Sequence, residues 1–229
     1  MVRRFILGLL ALVIAVVVVH ASDFWAGKNW KEWSKGECEA LLAESPWAHI
    51  WRGGGPQGDQ LAYAVQLRSA LPVREAIVRQ LQIDQKYDHM TGAQRTTFDT
   101  KAEQILNRKY DDVILVHVDF SKGIAARYLQ GVINSFHTDA DTFSASIATE
   151  DGNRVVPIRV DIKTDYSFDL IFPRAKNGVP EIKEGQRHFS VQFQSPQFTN
   201  PNQSITVPNK LIAVEFDLGK MDAGGKPGY

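Results

Sequence analysis

Cysteine is almost missing from this chain of 229 residues: there is one, Cys38. A lone thiol excludes an internal disulfide. It leaves two roles, a small buried hydrophobe or a thiol that pairs or reacts with a partner in an oxidising compartment. An excess of either charge is also missing, with 26 Lys and Arg against 26 Asp and Glu and no basic run. Neither nucleic acid nor anionic lipid is therefore suggested as a partner. Catalytic signatures are lacking as well. The chain has no Gly-x-Ser-x-Gly elbow, no His-Glu-x-x-His, no Walker loop and no Gly-x-Gly-x-x-Gly. The glycines at 53–55 are not followed by Lys-Ser/Thr or by a periodic helix, so they do not read as a phosphate cradle. No repeat is visible.

What is present begins at the first residues. Arg3 and Arg4 precede an uncharged apolar run from Phe5 to Val19, and Val19-His20-Ala21 offers a cleavage site before Ser22. This is the layout of a signal peptide over residues 1–21. As a helix the fifteen apolar residues rise only about 22 Å, short of a hydrocarbon core of about 30 Å. The expectation is export to the periplasm or the extracellular space, with membrane contact only if the signal stays uncleaved. Cys38 lies too far downstream to be a lipidated anchor. The remaining length, about 208 residues, suffices for one large domain or two small ones.

Three regions follow. Residues 22–56 hold all five tryptophans, at positions 25, 30, 33, 47 and 51. Ser34 and Glu37 form a capping-box pattern ahead of Cys38, Leu41 and Leu42, and Pro46 ends that helix. Trp47 to Trp51 fits strand alternation and helical spacing equally, with a loop expected at Gly53–Pro56. Residues 57–219 form an α+β domain. It starts with a strand at Leu61–Ser69, followed by helices opening at Pro72 and spanning Gln94–Arg108, joined by a mobile polar stretch at Asp84–Gly92. Strands are then expected at Val113–Phe120, Thr142–Thr149, Arg154–Ile162, Ser167–Phe172, His188–Gln194 and Leu211–Leu218. A hairpin turn at Glu150–Asn153 joins the second and third of these. Short strands with turn-rich connections predict an Ig-like antiparallel β-sandwich with an inserted helical pair. Residues 220–229 read as a disordered tail.

Candidate chemistry is thin. His117 and Asp119 share a strand face and could approach one metal ion, with a third ligand from His137, Asp139, Asp141 or His188. On the competing reading, that face is solvated and Ile114, Val116, Val118 and Phe120 are buried. Glu181 and Glu184, with Asp165 and Asp169, could supply a carboxylate pair for glycoside chemistry. Trp47, Trp51 and Arg174 are the candidate binding surface, since exposed indoles grip sugars or proteins. Packing across the sandwich is the alternative for the tryptophans. Phe172-Pro173-Arg174, followed by Asn177-Gly178-Val179-Pro180, reads as a strand ending in a loop.

The strings Trp30-x-x-Trp33, Glu37-Cys38-x-x-Leu41-Leu42-x-x-Ser45-Pro46-Trp47, the segment Ser69–Ala76 and Phe172-Pro173-Arg174 are similar to a pattern in a group of uncharacterised exported bacterial proteins. In general style the chain resembles GWxTD-domain proteins, although the Gly-Trp-x-Thr-Asp string is absent. The resemblance implies one intact domain and no chemistry. The balance of signals is against an enzyme and against a cofactor. A macromolecule-binding module acting on an envelope protein or glycan is the leading reading. A purely structural envelope protein and a metal- or carboxylate-dependent hydrolase of extracellular polymer are its rivals.

Overall fold

The computed structural model describes residues 24–54, 60–120, 144–163, 167–195, 198–200, 205–207, 210–221 and 228–229. The expected signal peptide lies outside them. Chain order starts with a short helix α1 (Phe24–Gly27), a 3-10 turn (Trp30–Glu32) and α2 (Lys35–Ala43). Strands β1 (Ala48–Gly54) and β2 (Gln60–Leu67) follow, then the helices α3 (Leu71–Asp84) and α4 (Gly92–Leu106). The rest is strand: β3 (Val113–Asp119), β4 (Ala145–Thr149), β5 (Arg154–Val155), β6 (Arg159–Ile162), β7 (Ser167–Pro173), β8 (Ala175–Lys176), β9 (Val179–Pro180), β10 (His188–Gln194), β11 (Phe198–Asn200), β12 (Ile205–Val207) and β13 (Leu211–Asp217). Among the described residues, no helix is long and apolar enough to cross a membrane.

The strands form a five-stranded sheet, β1-β2-β3-β7-β6, and a four-stranded sheet, β13-β10-β4-β5, both antiparallel. Period-two alternation sends Tyr63, Val65, Val116, Phe168 and Leu170 from the first sheet into one core with Ile147, Val191, Phe193, Ile212 and Phe216 from the second. Tyr63 and Phe168 meet Phe193 across the gap with ring centroids at 5.7 and 5.5 Å. The fold is thus mixed α+β with antiparallel sheets, and it is compatible with a β-sandwich. Helices α3 and α4 are inserted between β2 and β3, which pair directly.

Several expectations need correction. The strand expected at Arg154–Ile162 is two pieces in different sheets, because Pro157 cannot donate to a ladder and the chain crosses there. The stretch Asp84–Gly92 carries a 3-10 turn at Tyr87–His89, tied to α4 by the Tyr87 hydroxyl donating to Asp99 at 2.8 Å. Helix α4 starts at Gly92, earlier than expected, because Thr91 and Gln94 form a capping box. The ambiguous Trp47–Trp51 stretch resolves as strand from Ala48 onward, with Trp47 in the preceding turn and β1 reaching Gly54 where a loop was expected. Gly53 fits there because a Cβ would enter the Trp51 ring. Asn177 (φ 53°) and Gly178 (φ 77°) make the tight left-handed turn of a small β8–β9 hairpin in place of an open loop. Of the expected disordered tail, residues 222–227 lie outside the described residues, while Gly228 is buried and Tyr229 half-buried.

Candidate functional site

The N-terminal segment is fixed first. Ser34 and Glu37 bond reciprocally, 2.7 Å from the Ser34 N–H to the Glu37 carboxylate and 3.3 Å from the Glu37 N–H to Ser34 Oγ. Lys28 adds an ion pair to Glu37 at 2.8 Å. Capped this way, α2 turns Cys38 and Leu41 fully inward. Burial pushes the Cys38 thiol up to about 11, so the unreactive thiol form dominates near neutrality. An edge-to-face aromatic chain runs from Trp33 through Phe24 and Trp25 to Trp47, with successive ring centroids 5.1–5.9 Å apart. Trp47 is 2% exposed, so its indole packs in the core. Trp51 is half-buried elsewhere, against Tyr63 at 5.9 Å and beneath the Lys210 ammonium at 5.2 Å.

The expected metal pair takes a different form. His117 and Asp119 share the face of β3 turned away from the core that β3 shares with the smaller sheet. His117 nevertheless is only 4% exposed, which corrects the solvated-face expectation. Register places His117 opposite Asp169 on β7. The ring Nδ1–H donates to the Asp169 carboxylate at 2.7 Å, and Lys163 holds the other carboxylate oxygen at 3.1 Å. Burial pulls the His117 pKa below its ordinary value against the opposing pull of Asp169, which leaves the ring neutral near pH 7. Burial alone would raise Asp169, but its bonds to His117 and Lys163 outweigh it and hold the carboxyl ionised. Among the described residues no three His, Cys, Asp or Glu side chains gather as a metal site. His188 sits in the other sheet beside Glu215, while His137, Asp139 and Asp141 lie outside the described residues. The suggested carboxylate pair is likewise dispersed. Glu181 bonds Asn153, Asp169 is committed to His117, and Asp165 is outside the described residues.

Arg174 and Trp47 do come together, around Gly228–Tyr229. Arg174 follows Pro173 at the end of β7, where its own N–H bonds the Asp112 carbonyl at 2.9 Å. Its Nε donates to the Tyr110 carbonyl at 2.6 Å, aiming the guanidinium into a pocket of about 640 Å³. Ile114, Pro180, Ile182, Leu218 and Met221 form the apolar part of its wall, and Lys183 and Glu184 add charge. Arg174 donates to the main-chain oxygen of Tyr229 and lies over its ring, 5.1 Å from the centroid, and Phe189 meets the same ring at 5.9 Å. Burial lowers the Arg174 pKa, yet a guanidinium stays charged at any ordinary pH.

Two polar groups here are unspent. Both amide atoms of Gln186, which lines the pocket, are buried without a hydrogen-bond partner. The buried Nε1–H of Trp47 is also unpartnered, and it lies 3.3 Å from where a Cβ on Gly228 would stand. An unmet buried polar group costs about 1–3 kcal/mol, so the Gln186 amide in the pocket wall invites a ligand explanation. Arg174 was legible as a loop cation after a strand. Gln186 was not, because nothing in the polar, turn-rich stretch at 183–187 separates it from its neighbours. No family model matches the chain, and neither a curated protein nor a solved structure matches it.

Proposed function

We propose that this chain is an exported, non-enzymatic binding module of the bacterial envelope or the secreted fraction, built on an Ig-like sandwich, and that it grips an extended segment of a partner protein at the Arg174 pocket. The unpartnered Gln186 amide carries the reading. Its donor and acceptor share one partly apolar pocket with a guanidinium, which is the chemistry that recognises a peptide backbone with an adjoining ring or aliphatic side chain. The apolar run at residues 5–19 and the resemblance to exported proteins support the compartment. A hydrolase built on His117 and Asp169 lacks support by comparison, since the pair is buried and the Asp169 carboxylate is spent on the ring and on Lys163.

The test is Gln186→Leu, read by in-cell crosslinking of the tagged chain and by thermal melting. Replacing an unmet amide with an apolar side chain leaves the melting temperature equal or higher. A protein partner captured by the unaltered chain is lost from the variant. Capture that persists unchanged in Gln186→Leu, or capture of glycan alone, overturns the reading.

A further inference from the structure

We infer that Gly228–Tyr229, which form part of the wall of the Arg174 pocket, are a cis-bound stand-in for an external peptide that presents glycine followed by an aromatic residue. The inference rests on the pocket reading above and adds the ligand class and its regulation. Three contacts of the segment are those a bound peptide would make. Its main-chain oxygen accepts from Arg174, its ring lies against that guanidinium, and the same ring packs against Phe189. The glycine is required by close approach: a Cβ at 228 would run into the Met221 carbonyl oxygen and crowd the Trp47 indole nitrogen. Because the obstacle is backbone, it cannot swing aside as a flexible side chain would. The pocket therefore reads small-then-aromatic, by exclusion at one position and by stacking at the next.

The fit is incomplete in a telling way. With the segment in place, the Gln186 amide and the Trp47 N–H still have no partner. An external peptide that satisfies either group gains hydrogen bonds the segment does not make. The segment holds one advantage in return. Belonging to the same chain, it does not have to be drawn from solution. A free peptide of the same sequence must then compete with a ligand that is always at hand. The pocket opens to a better ligand or to a high local concentration of an equal one.

The experiment measures fluorescence anisotropy of a labelled peptide with the sequence of residues 222–229 against the full-length chain. Unaltered chain binds it weakly. Chain carrying Gly228→Ala, whose own segment no longer seats, binds it at least tenfold more tightly, and Tyr229→Ala does the same should the first variant fold poorly. A peptide carrying the Gly228→Ala change binds neither variant. Equal affinity for the unaltered and altered chains, or no binding to either variant, overturns the inference. The failures are separable. If the peptide does not bind yet Gln186→Leu still abolishes partner capture, the cis occupant is wrong and the pocket stands. If the peptide exchanges as expected but Gln186→Leu leaves capture intact, the segment docks there and the external partner does not.

Discussion

At the scale of single residues, burial decides what Cys38 can do. The thiol is fully covered on the inner face of α2, and burial raises its pKa to about 11. Thiolate is the reacting species, so both access and ionisation oppose modification. Native protein at pH 8 is expected to label with a thiol reagent orders of magnitude more slowly than protein in strong denaturant. Rapid labelling under native conditions would show that α2 opens readily and would restore the partner-reactive role. Gly53 and Gly228 belong to the same scale. Each is glycine because another group occupies the space of its Cβ, the Trp51 ring in one case and the Met221 carbonyl in the other. Neither constraint is visible from the neighbouring sequence.

At the scale of elements, the inserted helical pair is tied to the body from both faces of α3. Val73 and Ala76 enter the main core, while Val78 joins Phe98 and Ala102 of α4 in a separate small cluster. The end of α4 would leave carbonyls unmet. Arg74 reaches across and donates to the carbonyls of Ile105, Leu106 and Arg108, while stacking 5.4 Å from the Tyr110 ring. Arg108 stacks on that ring too, at 5.2 Å. Arg74→Met keeps the aliphatic stem and removes the donors. It is expected to destabilise the domain by about 1.5–3 kcal/mol, the range for hydrogen bonds to charged groups. Amide exchange in the last turn of α4 should quicken. Unchanged exchange there would show that water caps the helix equally well. Helix positions were mostly readable because apolar spacing and capping boxes are local. The break at Pro157 was only half readable: the proline forbids a continuous ladder, but it does not say that the next piece joins the other sheet.

At the scale of the whole molecule, the His117–Asp169–Lys163 chain links three consecutive segments of the larger sheet and makes its stability sensitive to acid. His117 has its folded pKa below the ordinary value of about 6.5, so the unfolded chain binds the proton more readily. Its contribution is full above about pH 6.5 and declines as the pH falls toward the folded value. Asp169, also held down, adds a second decline as the pH falls below about 4. Urea midpoints measured from pH 7.5 to 5 are expected to drop steadily, and His117→Gln should flatten that drop. An equal slope in the variant would place the acid sensitivity elsewhere.

What the sequence by itself determined is local or periodic: capped helices and alternating strands, beside the expectation of export from residues 1–21. Those signals lie within one element and depend on spacing alone. Only the tertiary structure decided which distant residues meet. It set Asp169 opposite His117 through strand register, a pairing that no spacing between positions 52 apart in the chain could fix. It folded Gly228–Tyr229 back onto Arg174 and Trp47, and it left Gln186 facing a pocket with nothing to bond. Long-range pairing is selected by the summed burial of both sheets. A candidate binding site assembled from β7, the turn at 183–187 and Gly228–Tyr229 exists only once that burial is complete.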